Sequence, residues 1–182
     1  MRKLTFAICG VLALCGGADA KSLVAYYSRT GNTETVAKKI AEMTGADLYR
    51  IETADANFYP AEYRATTEQA KQEIQNGTLP DIKTMPDLAA YDTVFVGTPC
   101  WWGTMASPVR TFLTNGNFTD KTVIAFDTHG GSGAGNVFTD VANLTPNATH
   151  KNGVAIYGTD AETSDATIKS WLIEIGEISN DK

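Results

Sequence analysis

The sequence predicts a three-layer α/β fold, a doubly wound arrangement in which five parallel strands form a sheet with helices on both faces. Three observations predict it. Five short apolar runs recur along the chain, and most are followed by a segment with apolar residues at helical spacing. Most of the runs are apolar throughout rather than alternating, as strands buried on both faces are. The length, 182 residues, suits one such domain.

The elements follow in order. Ser22 to Tyr27 opens the sheet. Asn32 to Met43 carries Val36, Ala37, Ile40 and Met43 on one face, and Gly45 ends it. Asp47 to Ile51 is the second strand. Pro60 to Gln75 is rich in Ala, Glu, Gln and Lys and helical by propensity, with a thin apolar face; Asn76-Gly77 stops it. Thr93 to Thr98 is the third strand, and Pro108 to Thr114 a helix with Val109, Phe112 and Leu113 inward. Thr122 to Phe126 is the fourth strand, followed by a helix over Gly135 to Asn143. Val154 to Tyr157 is the fifth strand. The last helix, Ser164 to Ile178, aligns Ile168, Trp171, Leu172, Ile175 and Ile178.

Residues 1–20 read as an address rather than as part of this domain, which occupies 21–182. Arg2 and Lys3 precede an apolar run from Leu4 to Leu14, and Ala18-Asp19-Ala20 is a small-x-small cleavage site. The expectation is a signal peptide cleaved after Ala20 and a periplasmic or secreted product with no transmembrane segment; a lipid anchor at Cys15 ranks lower, because Leu12 to Leu14 fits such a site poorly. Cleavage would remove Cys9 and Cys15 and leave Cys100 alone, so no internal disulfide is expected. Lys and Arg number 15 against 21 Asp and Glu, for a net charge of −6, which disfavours a nucleic-acid partner. Two His and three Cys give little material for a metal cluster, and none is expected.

Ligands of such sheets bind beyond the carboxyl ends of the strands. After strand one, Ser28-Arg29-Thr30-Gly31-Asn32-Thr33 runs into the first helix, where free N–H groups and the helix dipole favour an anion. The same residue types also make ordinary helix caps, and both readings stay open. After strand three, Thr98-Pro99-Cys100-Trp101-Trp102-Gly103 places two adjacent indoles in a loop; at least one suits a planar ligand, and one suits loop packing. Cys100 reads as a small buried residue, with a redox-active thiol as the other reading. After strand four, Thr128-His129-Gly130-Gly131 begins a glycine-rich turn that lets backbone approach a ligand. His129 reads as a turn residue bonded to backbone, or as a ring-edge donor or a catalytic acid.

Taken together, these three loops resemble the cofactor loops of the flavodoxin family, over essentially the whole chain beyond residue 20. Ser28 to Thr33 is similar to that family's phosphate loop, and the Trp-Trp and His-Gly-Gly stretches are similar to its two ring loops. The resemblance implies FMN as cofactor, strand order 2-1-3-4-5 and electron transfer. It implies that Ser28, Thr30, Asn32 and Thr33, in a loop with Arg29 and Gly31, hold the phosphate. It implies that Trp101 stacks on the ring, that backbone near Trp102 and Gly103, beside Pro99 and Cys100, meets N5, and that backbone N–H groups of Thr128, His129, Gly130 and Gly131 face the N1/O2 edge. No aromatic residue stands in the third loop to cover the outer ring face, for which Tyr59 and Tyr63 are candidates. The expected function is an exported, monomeric FMN electron carrier working with a redox partner protein or a small-molecule acceptor. The alternative is an FMN-dependent reductase of quinone-like molecules, and a third possibility is a binding protein without redox activity.

Overall fold

The structure, a computed structural model, describes residues 21–180; the leader read at 1–20 and the lipid-anchor reading at Cys15 lie outside them. Strand β1 (Ser22–Tyr26) leads to helix α1 (Asn32–Thr44) and strand β2 (Asp47–Arg50). A long irregular stretch precedes α2 (Tyr63–Asn76). Next come β3 (Thr93–Trp101), β4 (Thr104–Met105) and α3 (Ser107–Asn115). Then β5 (Thr122–His129), α4 (Val137–Leu144), β6 (Thr149–His150), β7 (Val154–Tyr157) and α5 (Asp165–Glu174) complete the domain.

The parallel sheet runs β2-β1-β3-β5, and its fifth position is shared by β6 and β7, which both pair with β5. The expected order 2-1-3-4-5 is therefore present, with its last strand in two pieces. Gly153 sits at the break, where a Cβ would stand 2.5 Å from the Ala125 carbonyl oxygen. One element was not expected. Strand β4 folds back antiparallel on the end of β3, pairing Cys100 with Met105 and Trp101 with Thr104. That hairpin draws Pro99, Cys100 and Trp101 out of the expected loop and into a strand.

Three helix boundaries differ from expectation by two residues or more, for local reasons. Helix α2 begins at Tyr63, not Pro60, because the Glu62 carboxylate caps it, accepting from the N–H groups of Arg64 (2.8 Å) and Ala65 (2.6 Å). Helix α4 begins at Val137, because Gly133 and Gly135 hold φ of 70° and 55°, outside the right-handed helix. Helix α5 stops at Glu174 as Gly176 turns left-handed, although Ile175 and Ile178 still pack on the core.

The core has two halves, one on each face of the sheet. Val24, Phe95, Ile124 and Phe126 meet Val36 and Ile40 of α1 and Ile168 and Leu172 of α5. Val94, Val96 and Ala125 meet Val109 and Phe112 of α3 and Val137 and Val141 of α4. Helix α2 contributes little apolar surface; it buries Thr66, Ala70 and Glu73. The Glu73 carboxylate is satisfied by the Tyr59 hydroxyl at 2.8 Å and by Gln69 Nε2 at 3.0 Å. A helix held so lightly serves as a wall at the carboxyl end of the sheet.

Candidate functional site

The loop after β1 is shaped by one glycine. Gly31 has φ of 97°, a conformation open to glycine at no steric cost, and its N–H donates to Ser28 Oγ at 3.2 Å. The chain then enters α1, whose first N–H groups lack intrahelical acceptors and carry the positive end of the helix dipole, and Asn32 and Thr33 of that turn border the cleft. Thr33 and Thr128 share a hydroxyl–hydroxyl bond of 2.7 Å, tying this loop to the end of β5. The Arg29 guanidinium donates to the carbonyl oxygens of Pro60 and Ala61 and to Thr66 Oγ1, each at 3.0 Å, and so ties the same loop to the start of α2.

The hairpin between β3 and β4 turns on Trp102 and Gly103, both at positive φ, 52° and 81°. Half-buried Trp101 meets Tyr27 and Tyr59 edge-on, with centroids 5.6 and 5.1 Å away, and borders the cleft. Trp102 is half exposed. Its Nε1–H donates to the Thr67 carbonyl oxygen at 3.0 Å, and the Lys71 ammonium lies 4.9 Å from its ring centroid. The third loop braces this hairpin. The Gly103 carbonyl oxygen accepts from the Asn136 N–H at 2.7 Å, and a Cβ at Gly135 would stand 2.5 Å from that oxygen. Cys100 Sγ donates to the Ala134 carbonyl oxygen at 3.6 Å and accepts from Ser132 Oγ at 3.8 Å. His129 Nδ1 accepts from the Gly131 N–H at 3.1 Å, the backbone-bonded turn role expected of it.

These parts enclose two adjoining chambers. One, of about 250 Å³, lies at the phosphate loop and is bordered by Thr30, Asn32, Thr33, Thr128, His129 and Gly130. The other, of about 220 Å³, lies between α2 and the Trp102-Gly103 turn. Arg29, Tyr63, Cys100 and Trp101 border both, which makes them one continuous cleft. The structure thus brings together all the expected residues of the three loops except Ser28, Gly31 and Gly131. Ser28 is buried behind its loop and faces a neighbouring cavity, while the two glycines, at φ of 97° and 120°, act as turn positions.

Two contributors were not legible as site residues. Helix α2 supplies Thr66, Thr67 and Ala70 alongside exposed Tyr63, while Tyr59 turns inward to pack on the core. Beyond β7, Tyr157, Gly158 and Thr159 close the phosphate end. The Tyr157 ring lies 5.7 Å from that of His129, and a Cβ on Gly158 would meet Asn32 Nδ2 at 2.6 Å. The signal was available for the second group: the rule that sends ligands to strand carboxyl ends applies to the fifth strand as well. Ser132 also borders the cleft.

Behind the lining, the electrostatics centre on Asp127, the β5 residue before Thr128. Its side chain has no solvent exposure, and neither carboxylate oxygen has a hydrogen-bond partner among the described residues. Desolvation alone pushes its carboxyl up to about 7. Burial also raises the Cys100 thiol, with Asp127 adding to the rise and Ser132 opposing it. Tyr27, behind Trp101, is pushed up to about 12 by burial, against the pull of Arg29.

Comparison with known proteins agrees with this architecture. The model of the flavodoxin family matches residues 21–175. A protein of Chromohalobacter salexigens named NAD(P)H dehydrogenase (quinone) is 38% identical over 109 residues, 57% of this chain and 47% of its own, so the chain spans about half the length of that relative. The crystal structure of a candidate flavoprotein from Bacteroides eggerthii superposes with a TM-score of 0.75 at 32% identity, covering 86% of this chain and 98% of the other. A flavoprotein from Lactobacillus acidophilus in complex with FMN superposes with a TM-score of 0.66 at 26% identity, covering 79% and 97%.

Proposed function

Because the chain belongs to the flavodoxin family, we propose that the cleft holds FMN and that the protein carries electrons between a donor and an acceptor. The observation that carries this is the continuity of the cleft: an anion-binding helix start at one end opens, past Arg29 and Trp101, into a slot beside two indoles. A phosphate and a planar ring joined by a short chain is the ligand such a shape accepts. When bound, FMN supplies the one- and two-electron chemistry that the side chains here lack.

The residues present fit the group. The N–H groups at the start of α1, with the hydroxyl of Thr30 and the amide of Asn32, receive the phosphate. Arg29 keeps that loop in register with α2. Trp101, held edge-on by Tyr27 and Tyr59, would offer a fixed wall to the ring, and Tyr63 borders the same cleft. Braced by Asn136, the Gly103 turn brings backbone polar groups to the ring edge.

The first test is titration of residues 21–182 with FMN, followed by stepwise anaerobic reduction. Saturable binding with two separable one-electron stages supports the carrier. Absence of binding overturns the FMN assignment. A second reading, a reductase of quinone-like acceptors, is favoured by the named activity of the Chromohalobacter relative. Its check is steady-state turnover of a quinone with a nicotinamide donor above the rate of free FMN. Export belongs to the same proposal, and N-terminal sequencing of secreted protein for a chain beginning at Lys21 tests it.

A further inference from the structure

Asp127 has no role in the fold that its chemistry would recommend. It lies on β5 facing the same side as Val123 and Ala125, which are packed among the apolar residues of α3 and α4. Its cross-strand neighbours are Thr98 and Ala155. The Thr98 hydroxyl is already engaged: it accepts from the Ala106 N–H at 2.9 Å and donates to the Pro99 carbonyl oxygen at 3.0 Å. An alanine or valine would suit this position as packing. A carboxyl group left without a partner here costs stability, so its presence calls for a use.

Its surroundings show what the use is. Asp127 immediately precedes Thr128, His129 and Gly130, which border the cleft, and it acts on Cys100, which borders both chambers. The charged and titratable groups on the packed elements offer it no counter-ion. Arg110 of α3 and Asp140 of α4 both turn to Thr104 Oγ1. His129 of its own strand is bonded to the Gly131 N–H, and Cys100 of β3 is a neutral thiol engaged with Ala134 and Ser132. Among the described residues, then, no hydrogen bond or ion pair compensates a charge on Asp127, which is buried next to the cleft-bordering Thr128.

We propose that Asp127 is a proton-exchanging group buried behind the lining of the cofactor site, which takes up a proton when the cleft gains negative charge and releases it when that charge leaves. The proposal rests on the reading that the cleft holds FMN. Electrons arriving from the donor would add negative charge to the cleft, near a carboxylate that has no counter-ion among the described residues. The Asp127 carboxylate then takes one proton from solvent. One O–H bond forms, no other bond of the protein breaks, and Asp127 is neither oxidised nor reduced. Its ionisation near neutral pH makes the exchange available under ordinary conditions.

Two measurements test this, one with the cofactor and one without. Across pH 5 to 9, the midpoint potential of the FMN-loaded wild type should fall more steeply through a window near and above neutrality, where reduction takes up one extra proton. Asp127→Asn should lack that steeper segment. Parallel curves for the two proteins would overturn the proposal. Without cofactor, infrared difference spectra over the same range should show a neutral carboxyl band that titrates near neutrality and is missing from Asp127→Asn. In the same samples, alkylation of Cys100 at pH 8 should be about threefold faster in the variant, because the opposing charge is gone. A carboxyl that stays ionised to pH 5, or unchanged alkylation, would overturn the proposal even if FMN binds. If FMN does not bind, the infrared titration still decides whether Asp127 exchanges its proton, so the two failures are distinct. Asp127→Ala repeats both tests should the amide perturb folding.

Discussion

The phosphate end of the cleft is built mainly from one stretch of chain, residues 28–33, running from β1 into α1, with Thr128 to Gly130 and Tyr157 to Thr159 closing it from the side. The ring end is assembled from α2, the β3–β4 hairpin and the loop after β5, which are far apart in sequence. Local forces shape the first: one left-handed glycine, one serine accepting from it and a helix start. Long-range ties shape the second: Arg29 to Pro60, Ala61 and Thr66, Trp102 to Thr67, and Asn136 to Gly103. A local device survives as long as its few residues do. An assembled one depends on every brace, so substitutions far from the ligand should damage the ring end selectively.

The largest effect concerns Asp127, buried behind the residues that border the cleft. With the folded Asp127 carboxyl near 7 and its ordinary value at 3.8, the folded state keeps a proton that the unfolded chain releases first. Stability should therefore be greatest below the ordinary value, fall as pH rises through this window, and level off above about 7, a total loss of up to about 4 kcal/mol. Asp127→Asn should flatten this profile and be the more stable protein at pH 8. Urea unfolding at pH 4.5, 6 and 8 measures it; a wild-type stability that rises across that range through this residue would contradict the assignment.

Gly135→Ala should separate the two ends. The new Cβ meets the Gly103 carbonyl oxygen, which is backbone and cannot swing away, and the residue must also hold φ near 55°. The expected cost is about 2 kcal/mol in urea unfolding. Because the displaced part is the ring hairpin, FMN affinity should fall by about tenfold. Affinity for inorganic phosphate, measured by calorimetry, should stay near the wild-type value. Equal losses for both ligands would mean that the ends are not independent.

The same contrast explains what could be read from the sequence. The order and type of the main elements followed from apolar periodicity, because strands buried on both faces and amphipathic helices write their burial into neighbouring residues. The phosphate loop was legible because its chemistry lies within six consecutive positions. The β4 strand was not, since its two residues are defined only by what they pair with. Tyr63 was legible as a candidate cover for the ring, but Thr66, Thr67 and Ala70 looked like an ordinary solvated helix face, and the Arg29 and Trp102 bonds tie that face to the cleft. Asp127 was passed over because a single acid inside an apolar run gives no sign of whether a partner waits for it.

Thr33→Val tests the phosphate end. Thr33 and Thr128 are both buried, and their hydroxyls bond each other at 2.7 Å. Removing one leaves the other without that partner, for an expected loss of about 1.5 kcal/mol in stability. FMN affinity should fall by about fivefold, while riboflavin, which lacks the phosphate, should change by less than about twofold. A matching loss for riboflavin would show that the tie supports the ring end as well, and would weaken the division drawn above.

Trp102→Phe should have the smallest effect and is the sharpest probe of the braces. The substitution keeps an aromatic ring at the hairpin tip but deletes the Nε1–H donor to the Thr67 carbonyl oxygen. It also weakens the attraction between the Lys71 ammonium and the ring face. Both interactions are largely solvated, so global stability should change by no more than about 1 kcal/mol. The local consequence should be larger than the global one, because α2 buries only Thr66, Ala70 and Glu73 and has few other attachments at this end. Amide hydrogen exchange in Tyr63 to Lys71 should accelerate severalfold while exchange in α1 stays unchanged. Acceleration in both helices would mean that the wall and the phosphate loop open together through Arg29, and the cleft would then move as a single unit.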